Sequence, residues 1–137
     1  VSDIKVYFPL ALAQWAPNAD ETRFLRTQDG KIHTDAADGS QLSAANVVIM
    51  TMQIDRSYLD RRYGNVPKTV MIGTGQAQVC SAGKCANATW SKTSHTAPIT
   101  LTDAAGNPVL LAPGNTWFEL MPAVPEGKLL LTATAKK

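Results

Sequence analysis

No stretch of this sequence keeps apolar residues at helical spacing for three turns, and turn-forming residues interrupt it about every 8–12 positions. Between the interruptions, apolar and polar residues alternate. IKVYF (4–8) sets Ile4, Val6 and Phe8 against Lys5 and Tyr7, the period of two of a strand with one buried face. ETRFLRT (21–27) follows a turn rich in Pro and Asn, and KIHTD (31–35) follows Asp29-Gly30, a strong hairpin signal. Asp38-Gly39-Ser40 precedes SAANVVIMTMQID, whose β-branched centre Val47-Val48-Ile49 suits a buried central strand. In KTVMIGTGQAQVC (68–80), Met71, Gly73, Gly75, Ala77 and Val79 share a face, and the small residues mark the close approach of another element. ANATWSK, ITLTD, VLLAP, TWFELMP and KLLLTATA read as further strands, while RSYLDRRYGNV (56–66) reads as irregular or as a single helical turn. The expected fold is all-β: one antiparallel β-sandwich or partly open barrel of about 8–10 short strands, spanning 1–137 as a single domain.

The two cysteines, Cys80 and Cys85, flank Ser81-Ala82-Gly83-Lys84. Four intervening residues match neither a C-x-x-C redox motif nor a zinc knuckle, and only His33 and His95 could complete a zinc site, neither at motif spacing. If Ala82-Gly83 turns a hairpin, Ser81 pairs with Lys84 and Cys80 falls opposite Cys85. Their Cα atoms are then about 4.5 Å apart, within disulfide reach. Closing so short a loop stabilises by about 2 kcal/mol on the chain-entropy model. The competing S-x-x-K reading needs Ser81 and Lys84 one helical turn apart, but Gly83 interrupts and no S-D-N or K-T-G triplet follows. A stapled hairpin is the expectation, and a disulfide favours an oxidising compartment.

The balance of 13 Lys+Arg against 11 Asp+Glu leaves a net charge of +2, too small to imply a nucleic acid or another polyanionic partner. No apolar run approaches the roughly 20 residues of a membrane helix. A first residue other than Met is what a processed or a trimmed chain would show. Candidate chemistry is sparse. His33 and Asp35, two apart on the expected strand, project together as a possible acid–base pair or half of a metal site, with His95 or Glu119 as third ligands that sequence cannot place. Trp90 and Lys92 share a face suited to a sugar ring and an anionic group, although a core-edge Trp with a snorkelling Lys has the same pattern. Trp117 stands two residues before Glu119 in the same way. The loop 56–66 mixes Arg56, Arg61 and Arg62 with Tyr58 and Tyr63, and Asn87-Ala88-Thr89 fits a glycosylation sequon. No metal site or cofactor is expected.

Three tracts, FLRTQDGKIHTDAADGSQLSAANVVIM, GTGQAQVCSAGKCANATWSK and LTDAAGNPVLLAPGNTWFELMP, carry a resemblance over residues 4–122. Their order and wording resemble the C-terminal domain of the YerB-like bacterial lipoproteins, whose biochemical function is unassigned. Arg26, Gly30, His33, Asp35, Asn46-Val47, Thr89-Trp90-x-Lys92 and Pro113-Gly114-x-Thr116-Trp117 carry it. Leu25 stands where an aromatic is expected, and the cysteine pair looks like an addition to the family pattern. The resemblance implies a secreted or lipid-anchored protein on the outer face of a bacterial membrane. It also implies a longer precursor with a preceding domain and an N-terminal lipid anchor, the only route to a membrane.

The functional expectation is a non-enzymatic binding module of the cell envelope. Its partner would be a glycan, a peptidoglycan fragment or a protein, held where Arg26, His33, Asp35, Trp90, Lys92 and Trp117 converge. The alternatives are an envelope hydrolase or transferase using His33 and Asp35, or a structural domain that docks the preceding one.

Overall fold

The computed structural model describes residues 1–135, which form strands and turns without a helix. In one sheet, β1 (Asp3–Phe8), β2 (Ala11–Pro17) and β3 (Phe24–Gln28) make an antiparallel meander. The short strands β4 (Lys31–Ile32) and β5 (Ser43–Ala44) both pair with β3. The second sheet is built on β6 (Asn46–Met52). From β6 the chain runs into a two-tier ribbon, in which β7 (Ile54–Asp55) pairs with β10 (Lys68–Thr69) and β8 (Leu59–Asp60) with β9 (Gly64–Asn65). It then returns through β11 (Gly73–Ser81), β12 (Lys84–Lys92), β13 (Thr100–Thr102) and β14 (Thr116–Pro122). The order across this sheet is β13-β12-β11-β6-β14. The chain finally crosses back, and β15 (Lys128–Thr132) pairs with the outer side of β1. Neither sheet closes on itself, so the fold is an open sandwich and not a barrel.

Strand β6 explains the layering. Asn46, Val47, Val48, Ile49, Met50 and Met52 are all essentially unexposed, so both faces of the second sheet need cover. Val47 and Ile49 pack with Cys80 and Met121 against Ile4, Val6, Ala13, Trp15 and Phe24 of the first sheet. Val48, Met50 and Met52 join Ala77, Val79, Ala88 and Trp90 on the other face. There Leu101 and Leu120 of the same sheet extend the apolar face, and Met71, Ile99 and Val109, from segments outside the strands, cover it without a third sheet among the described residues. β6 pairs antiparallel with β11 but parallel with β14, the one departure from an all-antiparallel arrangement among the described strands. Parallel neighbours need a long crossover, and the whole β7–β13 excursion supplies it.

The alternation in IKVYF, the buried centre of β6 and the cysteine hairpin are as the sequence indicates. Three segments differ. KIHTD is a strand only at Lys31–Ile32, because beyond it Asp35 turns the chain by accepting from the Ala37 amide. VLLAP forms no strand; Asn46 holds it, donating to the Ala112 carbonyl and accepting from the Ala112 amide, both at 2.9 Å. A buried carboxamide thus supplies the donor and acceptor a neighbouring strand would have offered. Residues 56–66 are neither irregular nor helical but include the β8–β9 tip, closed by the Asp60 carboxylate on the amides of Arg62 and Tyr63. Strand β2 has no counterpart in the sequence reading, since Ala11 and Ala13 blur its alternation.

At the hairpin, Cys80 pairs with Cys85 and Ser81 with Lys84, and the cysteines form a disulfide with Cα atoms 4.0 Å apart. Ala82 and Gly83 both have positive φ, 46° and 69°, as a tight I′ turn requires. Alanine is poorly suited to that region and asparagine well suited. Ala82→Asn is therefore expected to gain about 0.5–1 kcal/mol. Gly83→Ala is expected to lose more than Ala82→Asn gains, because its Cβ would fall 2.8 Å from the Glu21 carboxyl. Thermal melts of the two variants check this, with shifts of a few degrees and opposite sign.

Candidate functional site

Three of the six residues singled out by sequence meet between the sheets. The alternation of β3 turns Arg26 inward, directly across from Trp15 on β2. Trp117 and Glu119 share the inward face of β14. The Arg26 guanidinium carbon lies 5.5 Å from the ring centre of Trp15 and 4.8 Å from that of Trp117. The two indoles meet edge to face at 5.3 Å. Glu119 Oε1 accepts from Trp15 Nε1 at 3.0 Å and faces Arg26 Nη2 at 3.5 Å. Arg26 also hydrogen-bonds His33 Nδ1. A guanidinium can only donate, so Nδ1 is the acceptor and the imidazole carries its proton on Nε2.

Arg26 and Glu119 are only 6% and 5% exposed. Burial pushes the Glu119 carboxyl above the ordinary glutamate value of 4.5, although the Trp15 indole and Arg26 pull the other way. The aromatic faces, the ion pair and the histidine engage one another, while Arg26 Nε stays buried without a hydrogen-bond partner among the described residues. The cluster is a polar latch between the two sheets.

The other three residues lie elsewhere. Asp35 is exposed and closes its own turn, so no His33–Asp35 pair forms; the strand ends too early to align them. Trp90 is on the opposite face of the second sheet, buried over Gly75, and donates from Nε1 to the Thr51 carbonyl at 3.1 Å. A Cβ on Gly75 would stand 2.6 Å from that indole nitrogen, the close approach that the small residues of β11 signal. Lys92 donates to the carbonyls of His95 and Ala97 and ties down the loop after β12. The six residues therefore do not converge on one groove.

A different feature offers room for a ligand. An open trough of about 520 Å³ runs along the inner face of the second sheet, beside the first sheet's margin. Its apolar lining comes from Ile49, Met121, Leu129 and Val124, and its polar lining from Thr51, Gln76, Gln78, Asn87 and Thr89. Gln76 and Gln78 occupy the face of β11 that carries Cys80. They are cross-strand partners of Thr89 and Asn87, and Gln78 hydrogen-bonds Asn87. Sequence reasoning missed this row. Its signal was the polar set alternating with Gly75, Ala77 and Val79, together with the sequon at Asn87. What sequence could not show is that one end of that polar face is overhung.

A family model described as "protein of unknown function (DUF3048) C-terminal domain" matches residues 4–118. The chain belongs to that family. Among curated proteins none matches it. Among solved structures it is similar to YerB from Bacillus subtilis, with a TM-score of 0.76 and 17% identity over 94% of this chain. That similarity establishes a shared fold, and the chain spans only 43% of the YerB chain. The resemblance to the YerB-like C-terminal domain seen in the sequence is thus met by both the family model and the fold.

In this DUF3048 C-terminal domain, removing one partner of the latch should be costly and removing both should not. Arg26→Ala is expected to lower stability by about 3–5 kcal/mol by leaving Glu119 buried without a cation, and the double variant Arg26→Met/Glu119→Leu to recover most of it. Urea melts check both. A raised carboxyl pKa also has a definite sign. The folded state holds the Glu119 proton more tightly than the unfolded chain, so this residue's contribution is fully present below pH 4.5 and declines as pH rises through the elevated value. Set against Glu119→Gln, the native chain's relative stability should fall across that window and then level off; a relative rise would reverse the assignment.

Proposed function

We propose that this domain is a non-enzymatic binding module of the bacterial cell envelope, and that its ligand is an extended polar molecule lying in the trough. The observation that carries the reading is the trough itself: amide and hydroxyl side chains from adjacent strands beside apolar side chains, in a cleft of ligand size. Amides and hydroxyls both donate and accept, which suits the mixed hydrogen-bonding groups of a glycan or a peptide. Nothing in the lining resembles a nucleophile paired with a base, which favours binding over turnover. The Cys80–Cys85 disulfide favours an oxidising, extracytoplasmic location. The family resemblance points to the same compartment and to a lipid anchor in a longer precursor.

The test is a titration of isotope-labelled protein with chitotetraose, muramyl dipeptide and short unstructured peptides, following the side-chain amide resonances of Gln76, Gln78 and Asn87 by NMR. At least one ligand should move those three signals. Gln76→Ala and Thr89→Ala, both at exposed positions, should each weaken that ligand about 3–10-fold, the effect of losing one hydrogen bond. Shifts confined to other surfaces, or none with any ligand, would overturn the reading.

A further inference from the structure

The trough has a margin whose chemistry selects among polar ligands. We propose that β15 is a docking edge for an extended polypeptide segment, which adds to the first sheet as one more strand and thereby lies in the trough. The inference rests on the reading of the trough as the ligand site and names the class of ligand it takes.

Among the described residues, β15 pairs with β1 on one side and with no strand on the other. Its outer backbone donors and acceptors therefore lie open to a partner. The side chains do not guard them: β15 is KLLLT, its single charge is Lys128, and Leu130 and Leu131 are 40% and 37% exposed. Soluble proteins commonly protect such edges with charges, proline or a bulge. The opposite margin of the first sheet is different, divided between the two-residue strands β4 and β5.

The space beside β15 fits a strand. Leu129 of β15 lines the trough on one side, and Ala104, in the turn after β13, lines it on the other. Gln76, Gln78, Asn87 and Thr89 of β11 and β12 lie between them. A neighbouring strand sits about 4.8 Å from the last one, so a segment paired to β15 would run above this polar row. Its alternate side chains would point down onto the amides and hydroxyls, and the others would face solvent. A glycan could occupy the trough but has no backbone ladder to match β15; a polypeptide satisfies both. A second copy paired β15 to β15 would instead set its Leu129 and Leu131 over the polar row, a poorer match.

The experiment begins with random heptapeptides displayed on phage and selected on the immobilised domain. The tightest binder is synthesised and titrated into the labelled protein. Amide hydrogen exchange along β15 should slow at least tenfold, at alternate residues, and the side-chain amides of Gln76, Gln78 and Asn87 should shift. Two N-methylated peptides complete the test. Blocking alternate amides in one phase should weaken binding at least tenfold, and blocking those of the other phase should leave it nearly unchanged. Equal effects in the two phases, or shifts in the trough without protection of β15, would overturn strand addition while leaving the trough as the ligand site. Selected peptides that move neither would overturn both. Concentration-dependent protection of β15 without peptide would assign the edge to a second copy and overturn the proposal.

Discussion

A strand that is apolar on both faces cannot lie at the surface of anything, and β6 is such a strand. The layering of the fold answers the need to cover it. The first sheet covers one face, bringing Ile4, Val6, Trp15 and Phe24 down onto Val47 and Ile49. The other face, with Val48, Met50 and Met52, is closed by Trp90 and by side chains from stretches that mostly run outside regular strands, Met71, Ile99 and Val109 among them. Trp90 and Lys92 look like a ligand platform in the sequence because they alternate on one face. In the structure that face is the roofed one, and the indole serves as core while the ammonium binds loop carbonyls.

The inner face of the second sheet changes character along its width. Under the first sheet it is apolar, with Val47, Ile49, Cys80 and Met121. Beyond Leu129 it becomes a row of amides and hydroxyls. The Arg26–Glu119 latch belongs to the covered part, held between β2, β3 and β14. Replacing such a pair with well-packed apolar groups is often neutral, so its place here is explained better by the geometry it fixes than by energy gained. Stacking on two indoles and bonding a histidine, Arg26 aligns the first sheet over the edge strand β14.

Much of this was legible in the residues. Alternation in IKVYF, the β-branched run in β6, the small face of β11 and the spacing of Cys80 and Cys85 each report a local constraint that the chain obeys wherever it sits. Arg26, His33 and Trp117 were also singled out, though as a surface and not as an interior latch. The misses share a different origin. VLLAP is apolar and flanked by turns, yet a buried Asn46 takes the place of its neighbouring strand. Asp35 stands two residues from His33, yet an Asx turn ends the strand between the expected partners. The trough depends on where one sheet stops above another. That boundary is set by the pairing of β15 with β1, contacts made by opposite ends of the chain.

The parallel pairing of β6 with β14 carries a consequence for how the chain reaches this state. Asn46 and Thr116 stand side by side in the finished sheet but 70 residues apart along the chain. During synthesis β6 leaves the ribosome well before its parallel neighbour β14 and before β15, which completes the opposing sheet. Contacts between such distant segments form slowly, because the loop entropy is lost before the contact compensates for it. The most apolar strand of the molecule is therefore the one left waiting for its neighbour, a window in which a nascent chain gains from a holding chaperone or from staying extended until β14 has emerged.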